Sequence, residues 1–191
     1  LLQNNIKRLM AYSSISHIGF LLLPIIFYSS IDYQVLFKYL TIYLTMTLGV
    51  FFILQNLTYD KSYDNSFSSI AGLSRNQPFL ALSMAIFMFS FAGVPPLAGF
   101  FAKVYVIIPI IDSGIYWLAI LAVLASVISA YYYLRIVKVM YFDTAPKAAM
   151  SFKSAPLYQF VLLLLVLFNI LFFLAPDYVF TFLQSISSGS F

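Results

Sequence analysis

The sequence predicts an all-α integral membrane protein of about six transmembrane segments, and three observations support this prediction. Hydrophobic residues make up 63% of the chain and charged residues only 8%, whereas about a quarter of the residues in a soluble domain are charged. The apolar runs are long enough to cross a membrane as helices, because about 20 helical residues span about 30 Å of hydrocarbon. The runs neither alternate like β-barrel strands nor carry the polar faces of a soluble helical core.

The predicted segments belong to one membrane domain, residues 1–191, because no internal repeat or linker divides the chain. They cover residues 9–28, 33–56, 78–94, 97–111, 114–142 and 155–175. The polar stretch 58–77 is the one sizeable loop, and Gly114 permits a tight turn before the fifth segment. Six crossings would place Lys7 and Arg135 on opposite sides of the membrane. Basic residues would then be divided almost equally, with only a weak preference for loop 143–156 on the matrix or cytoplasmic side.

The composition excludes several kinds of function for this chain. It has no cysteine and a single histidine, His17, so disulfides and thiolate or iron–sulfur sites are excluded and a metal cluster is not expected. The net charge of +4 is not concentrated in a basic run, so no nucleic-acid partner is expected. Membrane lipids are the expected surroundings, and the 21 phenylalanines and 15 tyrosines suit them.

The stretch FAGVPPLAGFFAKVY, residues 91–105, interrupts the longest apolar region. One straight helix from residue 78 to residue 111 would be about 51 Å long, which is more than tilt can absorb in a bilayer. Pro95 and Pro96 remove two amide donors, and Gly93 and Gly99 flank them. The helix is therefore predicted to stop and then restart or reverse here, beside protein or a water-filled cavity rather than lipid.

Lys103 falls about one turn into the restarted helix, where a charge is unfavourable. A lysine at the centre of a bilayer costs about 2.5–3.5 kcal/mol on insertion scales. Two interpretations are open. The side chain snorkels to the interface, or the ammonium is a proton-carrying site that faces a hydrated interior, a role that suits lysine when it is buried. The flanking Phe100, Phe101 and Val104 favour the interior.

Four further polar side chains in apolar segments are candidates for the same chemistry. His17, in AYSSISHIGF, is either satisfied by neighbouring hydroxyls or part of a proton-conducting file. Lys38, near several threonines of the second segment, either snorkels or joins an interior polar track. Arg135 and Lys138, in YYYLRIVKVMYF, either anchor the end of a long helix at an aromatic belt or form a relay or a subunit contact.

Three motifs occur in a recognisable order: NNIKRLMAYSSISHIGF, then NQPFLALSMAIFMFSFAGVPPLAGFFAKVYVI, then YYYLRIVKVMYF. Together they resemble the C-terminal part of the chain 2 family of NADH:ubiquinone oxidoreductase, respiratory complex I, called subunit N in bacteria. The resemblance covers nearly the whole chain, from Asn5 to the last segment. The first two motifs are shared more loosely by other antiporter-like subunits and by cation/proton antiporters.

The resemblance implies a proton-translocating membrane-arm subunit with an antiporter-like fold and no redox centre of its own. FMN, the iron–sulfur clusters and ubiquinone are expected elsewhere in the complex, with no cofactor in this chain. The six segments would match helices nine to fourteen of a fourteen-helix fold. Lys103 matches the family's lysine on the discontinuous twelfth helix, and His17 and Lys38 are the further relay candidates.

The family's relay glutamate and two further lysines precede the matched region, and this chain contains no glutamate. We therefore expect other complex I membrane subunits as partners, including a separate chain that carries the missing N-terminal helices, as in a split mitochondrial chain 2. The Phe-, Tyr- and Ile-rich composition resembles AT-rich mitochondrial coding, so the mitochondrial inner membrane is expected rather than a bacterial plasma membrane. Two alternatives stay open: a subunit of a multi-subunit Na⁺/H⁺ antiporter, and a scaffold half that conducts no protons.

Overall fold

The computed structural model describes residues 3–27, 33–60, 63–144 and 155–174, and it is helical in all four ranges. The α-helices are α1 (Ile6–Phe27), α2 (Tyr33–Leu57), α3 (Leu73–Asn76), α4 (Pro78–Ala92), α5 (Ala98–Asp112), α6 (Tyr116–Phe142) and α7 (Pro156–Leu171). Two 3₁₀ turns, Ser68–Ile70 and Phe172–Leu174, accompany them. Within these ranges the one β-type contact is an isolated antiparallel bridge between Asn5 and Ser66.

All six predicted segments are helical, and local chemistry explains where their ends differ from the prediction. α1 begins at Ile6 rather than at residue 9, because the Asn5 side chain accepts a hydrogen bond from the backbone N–H of Arg8 (3.0 Å). α4 ends at Ala92 rather than at residue 94, because Gly93 adopts a left-handed conformation (φ 86°) that terminates the helix. The last residues of the first and sixth predicted segments, Tyr28 and Ala175, lie outside the described residues.

The predicted loop 58–77 packs onto the helices instead of lying free. It contains the first 3₁₀ turn and α3, and it buries Phe67, Ile70 and Leu73 in the core. Gly72 donates a backbone hydrogen bond to the carbonyl of Val139 on α6 (3.2 Å). The segment before α4 is therefore fixed to the last turn of α6.

α4 is the central helix of the bundle. Ten of its 15 residues are buried, and only a narrow stripe that includes Phe79 and Leu82 is exposed. α2 packs against α4 and α5, and it buries a row of side chains three or four residues apart: Tyr39, Ile42, Met46, Val50 and Ile53. Gly49 lets the Phe87 ring approach the α2 backbone where a side chain would collide with it. The last turn of α4, including Ser90 and Phe91, is buried in the protein.

α4 and α5 together make one crossing. Four helices, α1, α2, α6 and α7, are long and apolar enough to cross a membrane alone. α4 and α5 have 15 residues each, or about 22 Å, which is less than the hydrocarbon thickness. Gly72, shortly before α4, is bonded to Val139 near the end of α6, and α5 leads through the turn at Ser113 and Gly114 into the start of α6. The two short helices therefore run one after the other, antiparallel to α6.

The chain thus has five crossings in its described part rather than the six that the sequence suggested. The predicted sidedness changes with this count. Arg135 donates hydrogen bonds to the backbone oxygen of Gln3 (3.1 Å) and to the side-chain oxygen of Asn4 (3.2 Å). Arg135 and Lys7 consequently lie at the same end of the bundle, and the prediction that they lie on opposite sides is wrong.

One end of the bundle, which we call the basic end, collects most of the cationic side chains of the described ranges. It is formed by Lys7, Arg8, Arg75, Arg135 and Lys138. The remaining described cations are Lys38 and Lys103, while Lys61, Lys147 and Lys153 lie outside the described residues. Because lysine and arginine flanking membrane helices concentrate on the cytoplasmic side, the basic end indicates the cytoplasmic or matrix face.

Site-directed labelling distinguishes five crossings from six. The chain has no cysteine, so single cysteines introduced at the exposed positions Ser68 and Ser113 report on one site each. With five crossings, a membrane-impermeant maleimide added to sealed vesicles should label Ser68→Cys and Ser113→Cys from opposite sides. Labelling of both variants from the same side would restore the six-crossing arrangement.

Candidate functional site

Lys103 is buried at the break between α4 and α5, with only 7% of its surface exposed. Its Nζ donates hydrogen bonds to the backbone oxygens of Phe91 (3.0 Å) and Ala92 (2.9 Å) and to the Ser126 hydroxyl on α6 (2.6 Å). An ammonium has three N–H donors, and each has an acceptor here. The side chain therefore points into the bundle and does not snorkel to the interface.

The end of α4 explains why a cation is stable at this position. The last carbonyls of a helix have no partner within the helix. The N–H of Gly93 satisfies the carbonyls of Phe89 (3.1 Å) and Ser90 (3.0 Å), which leaves those of Phe91 and Ala92 for Lys103. Since the helix dipole places partial negative charge at its C-terminus, it also favours a positive charge there. The charge is therefore stabilised by carbonyl dipoles and a hydroxyl.

Gly93 and Gly99 are both required at the break, because other atoms lie close to the position that a side chain would take. A side chain at Gly93 would be strained by its φ of 86° and would lie 3.1 Å from the Nζ of Lys103. A side chain at Gly99 would overlap the backbone oxygen of Ser90. Pro95 and Pro96, which form the exposed turn between the helices, cannot continue α4 because they lack amide donors. The predicted stop and restart between Gly93 and Gly99 is what the structure contains.

A second set of hydrogen bonds fixes the two halves of the broken helix to α7. The N–H of Gly99 donates to the Ser90 hydroxyl (2.9 Å), which in turn donates to the side-chain oxygen of Asn169 (2.9 Å). The Asn169 amide donates to the backbone oxygen of Leu165 (3.1 Å). Ser90 and Asn169 are both fully buried, so the hydrogen bonds that join Gly99, Ser90 and Asn169 are shielded from water and lipid.

A cavity of about 420 Å³ adjoins Lys103 between α5 and α6. Its walls are mainly apolar, with Val104 and Val127 among them, and Lys103 and Ser126 supply polar groups. The cavity is open to the surroundings of the bundle, because Ile108 and Val127 in its walls are 50% and 64% exposed. The buried ammonium therefore adjoins a space that opens to the outside of the bundle.

His17 lies at the junction of α1, α2 and α6, and its two ring nitrogens contact two buried tyrosines. Nδ1 is 2.8 Å from the Tyr39 hydroxyl and Nε2 is 3.0 Å from the Tyr133 hydroxyl. The Tyr133 hydroxyl also hydrogen-bonds the hydroxyl of Ser13, one turn earlier on α1. The hydroxyls that bind His17 thus belong to α2 and α6 and not to its neighbours in α1, which the sequence suggested. The same geometry forms a continuous chain of exchangeable protons.

Aromatic rings connect His17 to the lysine site. The Phe91 ring packs edge-on against the imidazole at a centroid distance of 5.1 Å, and the carbonyl of the same residue accepts a hydrogen bond from Lys103. On α1, Phe20 follows His17 by about one turn, and the Nζ of Lys103 lies 5.9 Å from the centroid of its ring. Lys103 and His17 are thus on opposite sides of a thin aromatic layer.

The other three candidates lie apart from the Lys103 hydrogen bonds. Lys38 is half-buried on α2, with its Nζ 4.8 Å from the centroid of the Tyr105 ring. Arg135 lies against the Phe67 ring (4.3 Å) at the basic end, nine residues or about 13 Å beyond Ser126 along α6. Lys138 is exposed and pairs with Asp143. Arg135 and Lys138 thus contact the segments that cover the basic end.

Comparison with known proteins assigns the chain to a family. Residues 1–129 match the family described as NADH:quinone oxidoreductase/Mrp antiporter, transmembrane. The chain belongs to this family. Its resemblance to the C-terminal part of chain 2, or subunit N, of respiratory complex I is confirmed.

Two relatives and one solved structure show the extent of the similarity. The chain is 52% identical over 143 residues to NADH-quinone oxidoreductase subunit N of Parvibaculum lavamentivorans, covering 75% of this chain and 30% of that protein. It is 44% identical over 179 residues to the Rhodospirillum rubrum subunit N, covering 94% and 37%. A chain of respiratory complex I from Thermus thermophilus, solved with bound aureothin, superposes with a TM-score of 0.79 at 28% identity, covering 93% and 40%. The chain thus spans about a third of its relatives' length.

In this member of the family, several site residues were not found from the sequence. Ser126 was hidden among the apolar residues of α6, and Tyr133 among three consecutive tyrosines. Asn169 carried a usable signal, because a lone amide in the run VLLLLVLFNILFFL requires a buried partner in lipid. Ser90 and Tyr39 carried none that distinguishes them from other hydroxyl groups in these helices.

Proposed function

We propose that this chain is part of a membrane-arm subunit of respiratory complex I and contributes half of a proton-translocation channel driven by NADH:quinone oxidoreduction. The observation that carries the proposal is the buried Lys103 ammonium, held by three acceptors at a helix break and adjoining a cavity. A broken helix with its free carbonyls facing a cation is an arrangement that transporters use at ion sites. The names of the relatives support the coupling to a quinone reductase.

Within the proposed channel, Lys103 carries the proton. Its ammonium form is held by the carbonyls of Phe91 and Ala92, and its neutral form can be reached by water in the adjoining cavity. His17 and Lys38 are the candidates for passing protons further through the bundle. No step requires a cofactor in this chain. FMN, the iron–sulfur clusters and ubiquinone would be held by other subunits, which deliver the free energy of electron transfer to this one.

The proposal requires partners that supply what this sequence does not contain. An acidic group that can approach and leave Lys103 would change its affinity for a proton, and the chain has no glutamate. We propose that other helices of the subunit N fold provide a glutamate and further lysines, and that the other membrane subunits of the complex surround them. Mass spectrometry of the purified complex distinguishes one polypeptide from two.

The proposed location is the mitochondrial inner membrane, with the basic end towards the matrix. The Phe-, Tyr- and Ile-rich composition supports this location. The distribution of Lys and Arg supports the orientation. Immunodetection in fractionated cells should find the chain with inner-membrane markers, and recovery with the plasma membrane would overturn the proposed location.

A second candidate function is that of a multi-subunit Na⁺/H⁺ antiporter, because the family to which the chain belongs includes Mrp antiporters. The third possibility is a scaffold in which Lys103 holds the helix break but carries no proton. The two transport functions differ in the driving force for proton movement, which is NADH oxidation in one and a Na⁺ gradient in the other. The scaffold differs from both because loss of the Lys103 amine would leave proton movement unchanged.

An assay on the purified assembly separates the two transport functions. A tagged form of the chain is purified with its partners and reconstituted into vesicles. We expect NADH and a quinone to drive acidification of the lumen, and we expect a Na⁺ gradient alone to drive none. Proton movement driven by Na⁺, in an assembly that does not oxidise NADH, would contradict the proposal and favour the antiporter.

A further inference from the structure

Four side chains form an unbroken row of hydrogen bonds across three helices, which we call the hydroxyl–imidazole chain. Its members are Ser13 on α1, Tyr133 on α6, His17 on α1 and Tyr39 on α2. The exposed fraction of each is 4% or less. Polar groups buried in a membrane protein are satisfied internally. In this row each member is also both a hydrogen-bond donor and a hydrogen-bond acceptor, which is what a proton relay requires.

The row has two possible polarities, and the tautomer of His17 decides between them. With the proton on Nδ1, the imidazole donates to Tyr39 and accepts from Tyr133, which in turn accepts from Ser13. With the proton on Nε2, the imidazole donates to Tyr133 and accepts from Tyr39, and the Tyr133 hydroxyl is directed to Ser13. Both arrangements satisfy the same distances, because a neutral imidazole has one donor and one acceptor nitrogen.

The row is oriented along the membrane. Ser13 lies one turn of α1, or about 6 Å, nearer to the basic end than His17. At the other end, the Tyr39 ring stacks on Phe20 with a centroid distance of 6.3 Å, and the Nζ of Lys103 lies 5.9 Å from the same Phe20 ring. The hydroxyl–imidazole chain therefore leads from the side of the basic end towards Lys103.

We infer that the hydroxyl–imidazole chain is a proton wire between the basic end and Lys103, with Tyr133 and Tyr39 as proton-carrying residues on either side of His17. This inference rests on the proposed function. Ser13 takes up one proton and passes its own to Tyr133, Tyr133 passes its own to Nε2, Nδ1 releases its proton to Tyr39, and Tyr39 releases its own. The final acceptor is the neutral amine of Lys103, and the inference requires water between Tyr39 and Lys103 beside the Phe20 ring that both contact.

The transfer conserves protons and charge, and it can occur only once before His17 must return to its first tautomer. One proton enters and one leaves, no bond between heavy atoms changes, and no member of the row keeps a net charge. Afterwards every hydrogen bond has the opposite polarity and His17 is in its other tautomer. A second proton cannot follow in the same direction until the imidazole is reset, so the row passes one proton per cycle.

The decisive variant is His17→Gln in the assembled complex, because an amide side chain can keep the hydrogen bonds of His17 but cannot relay a proton. Glutamine offers one donor and one acceptor to the two tyrosines, as neutral histidine does, but it cannot take a proton at one atom and release it from the other. We expect normal assembly and a coupled pumping rate lowered about tenfold or more, in line with the loss of a positioned proton-transfer group. Tyr133→Phe and Tyr39→Phe should lower it similarly.

Tyr43→Phe is the matched control. The Tyr43 ring stacks on His17 at 5.1 Å, but its hydroxyl is not a member of the row, so the variant should pump like the unaltered complex. Normal pumping by His17→Gln and Tyr133→Phe, with Lys103→Ala inactive, would overturn the wire and leave the proposed function intact. Normal pumping by Lys103→Ala would overturn the proposed function instead. If the His17→Gln complex does not assemble, the pumping rate of Tyr39→Phe, which removes a single oxygen atom, tests the proton wire instead.

Discussion

Replacing Lys103 with alanine is expected to abolish proton translocation by this subunit, because no other titratable group of the described residues hydrogen-bonds the end of α4. The variant also leaves the carbonyls of Phe91 and Ala92 and the hydroxyl of Ser126 without their donor. An unsatisfied buried polar group costs about 1–3 kcal/mol, so the amount of assembled complex should fall too. The measurement is the number of protons moved per NADH oxidised in sealed vesicles, corrected for the amount of complex.

Lys103→Arg separates the proton-carrying role from the structural one. Arginine keeps a positive charge and N–H donors for the same carbonyls, and the adjoining cavity offers room for its larger head group. It cannot release its proton under physiological conditions. We therefore expect an assembled complex that does not pump through this subunit. Lys7→Ala, which removes a lysine at the basic end, is the control. If Lys103→Ala assembled and pumped normally, the scaffold alternative would be correct.

Replacing Gly99 with alanine should have the next largest effect, and this effect concerns assembly. The added methyl group would overlap the backbone oxygen of Ser90, which cannot move away as a flexible side chain could. Overpacking of this kind costs about 1–3 kcal/mol, and it would also separate Gly99 from the Ser90 hydroxyl that it binds. We expect less complex in the membrane and a lower midpoint of thermal unfolding.

Gly19→Ala is the matched control for that variant. Gly19 also lies in a helix, but nothing is within 4 Å of the position a side chain would take. Alanine is more favourable than glycine in a helix by about 0.8–1.0 kcal/mol, so this variant should be neutral or slightly stabilising. Equal thermal stability of the two variants would show that the contact between Gly99 and Ser90 does not hold the break together.

The sequence predicted the break and its lysine because both depend on local chemistry. Two prolines lack amide donors wherever they occur, and a lysine flanked by Phe100 and Phe101 has an unfavourable lipid-facing alternative. The partners of Lys103 could not be predicted, because they are backbone carbonyls that become available only where α4 ends. Their identity depends on how α5 packs back against α4 and α6.

The number of membrane crossings could not be predicted from the sequence, for a different reason. A 15-residue apolar helix is close to the length that spans a membrane, so α4 and α5 each resemble a short span. Their arrangement as one span depends on contacts with α6, which no local pattern encodes. Tyr133 shows the same limit at the level of one residue. Consecutive helical residues point in directions about 100° apart, so Tyr131 is exposed and Tyr133 buried, although the sequence presents three identical side chains.

The number of N–H donors on Lys103 affects how firmly α4 and α6 are joined. The ammonium has three N–H bonds for three oxygens, on Phe91, Ala92 and Ser126, whereas a neutral amine has two. Each release of a proton therefore leaves one oxygen at the junction of α4 and α6 without a donor until water or a shift of the chain replaces it. In the proposed channel, Lys103 would therefore hold the junction of α4 and α6 together as well as carry the proton, and release of the proton would weaken that junction.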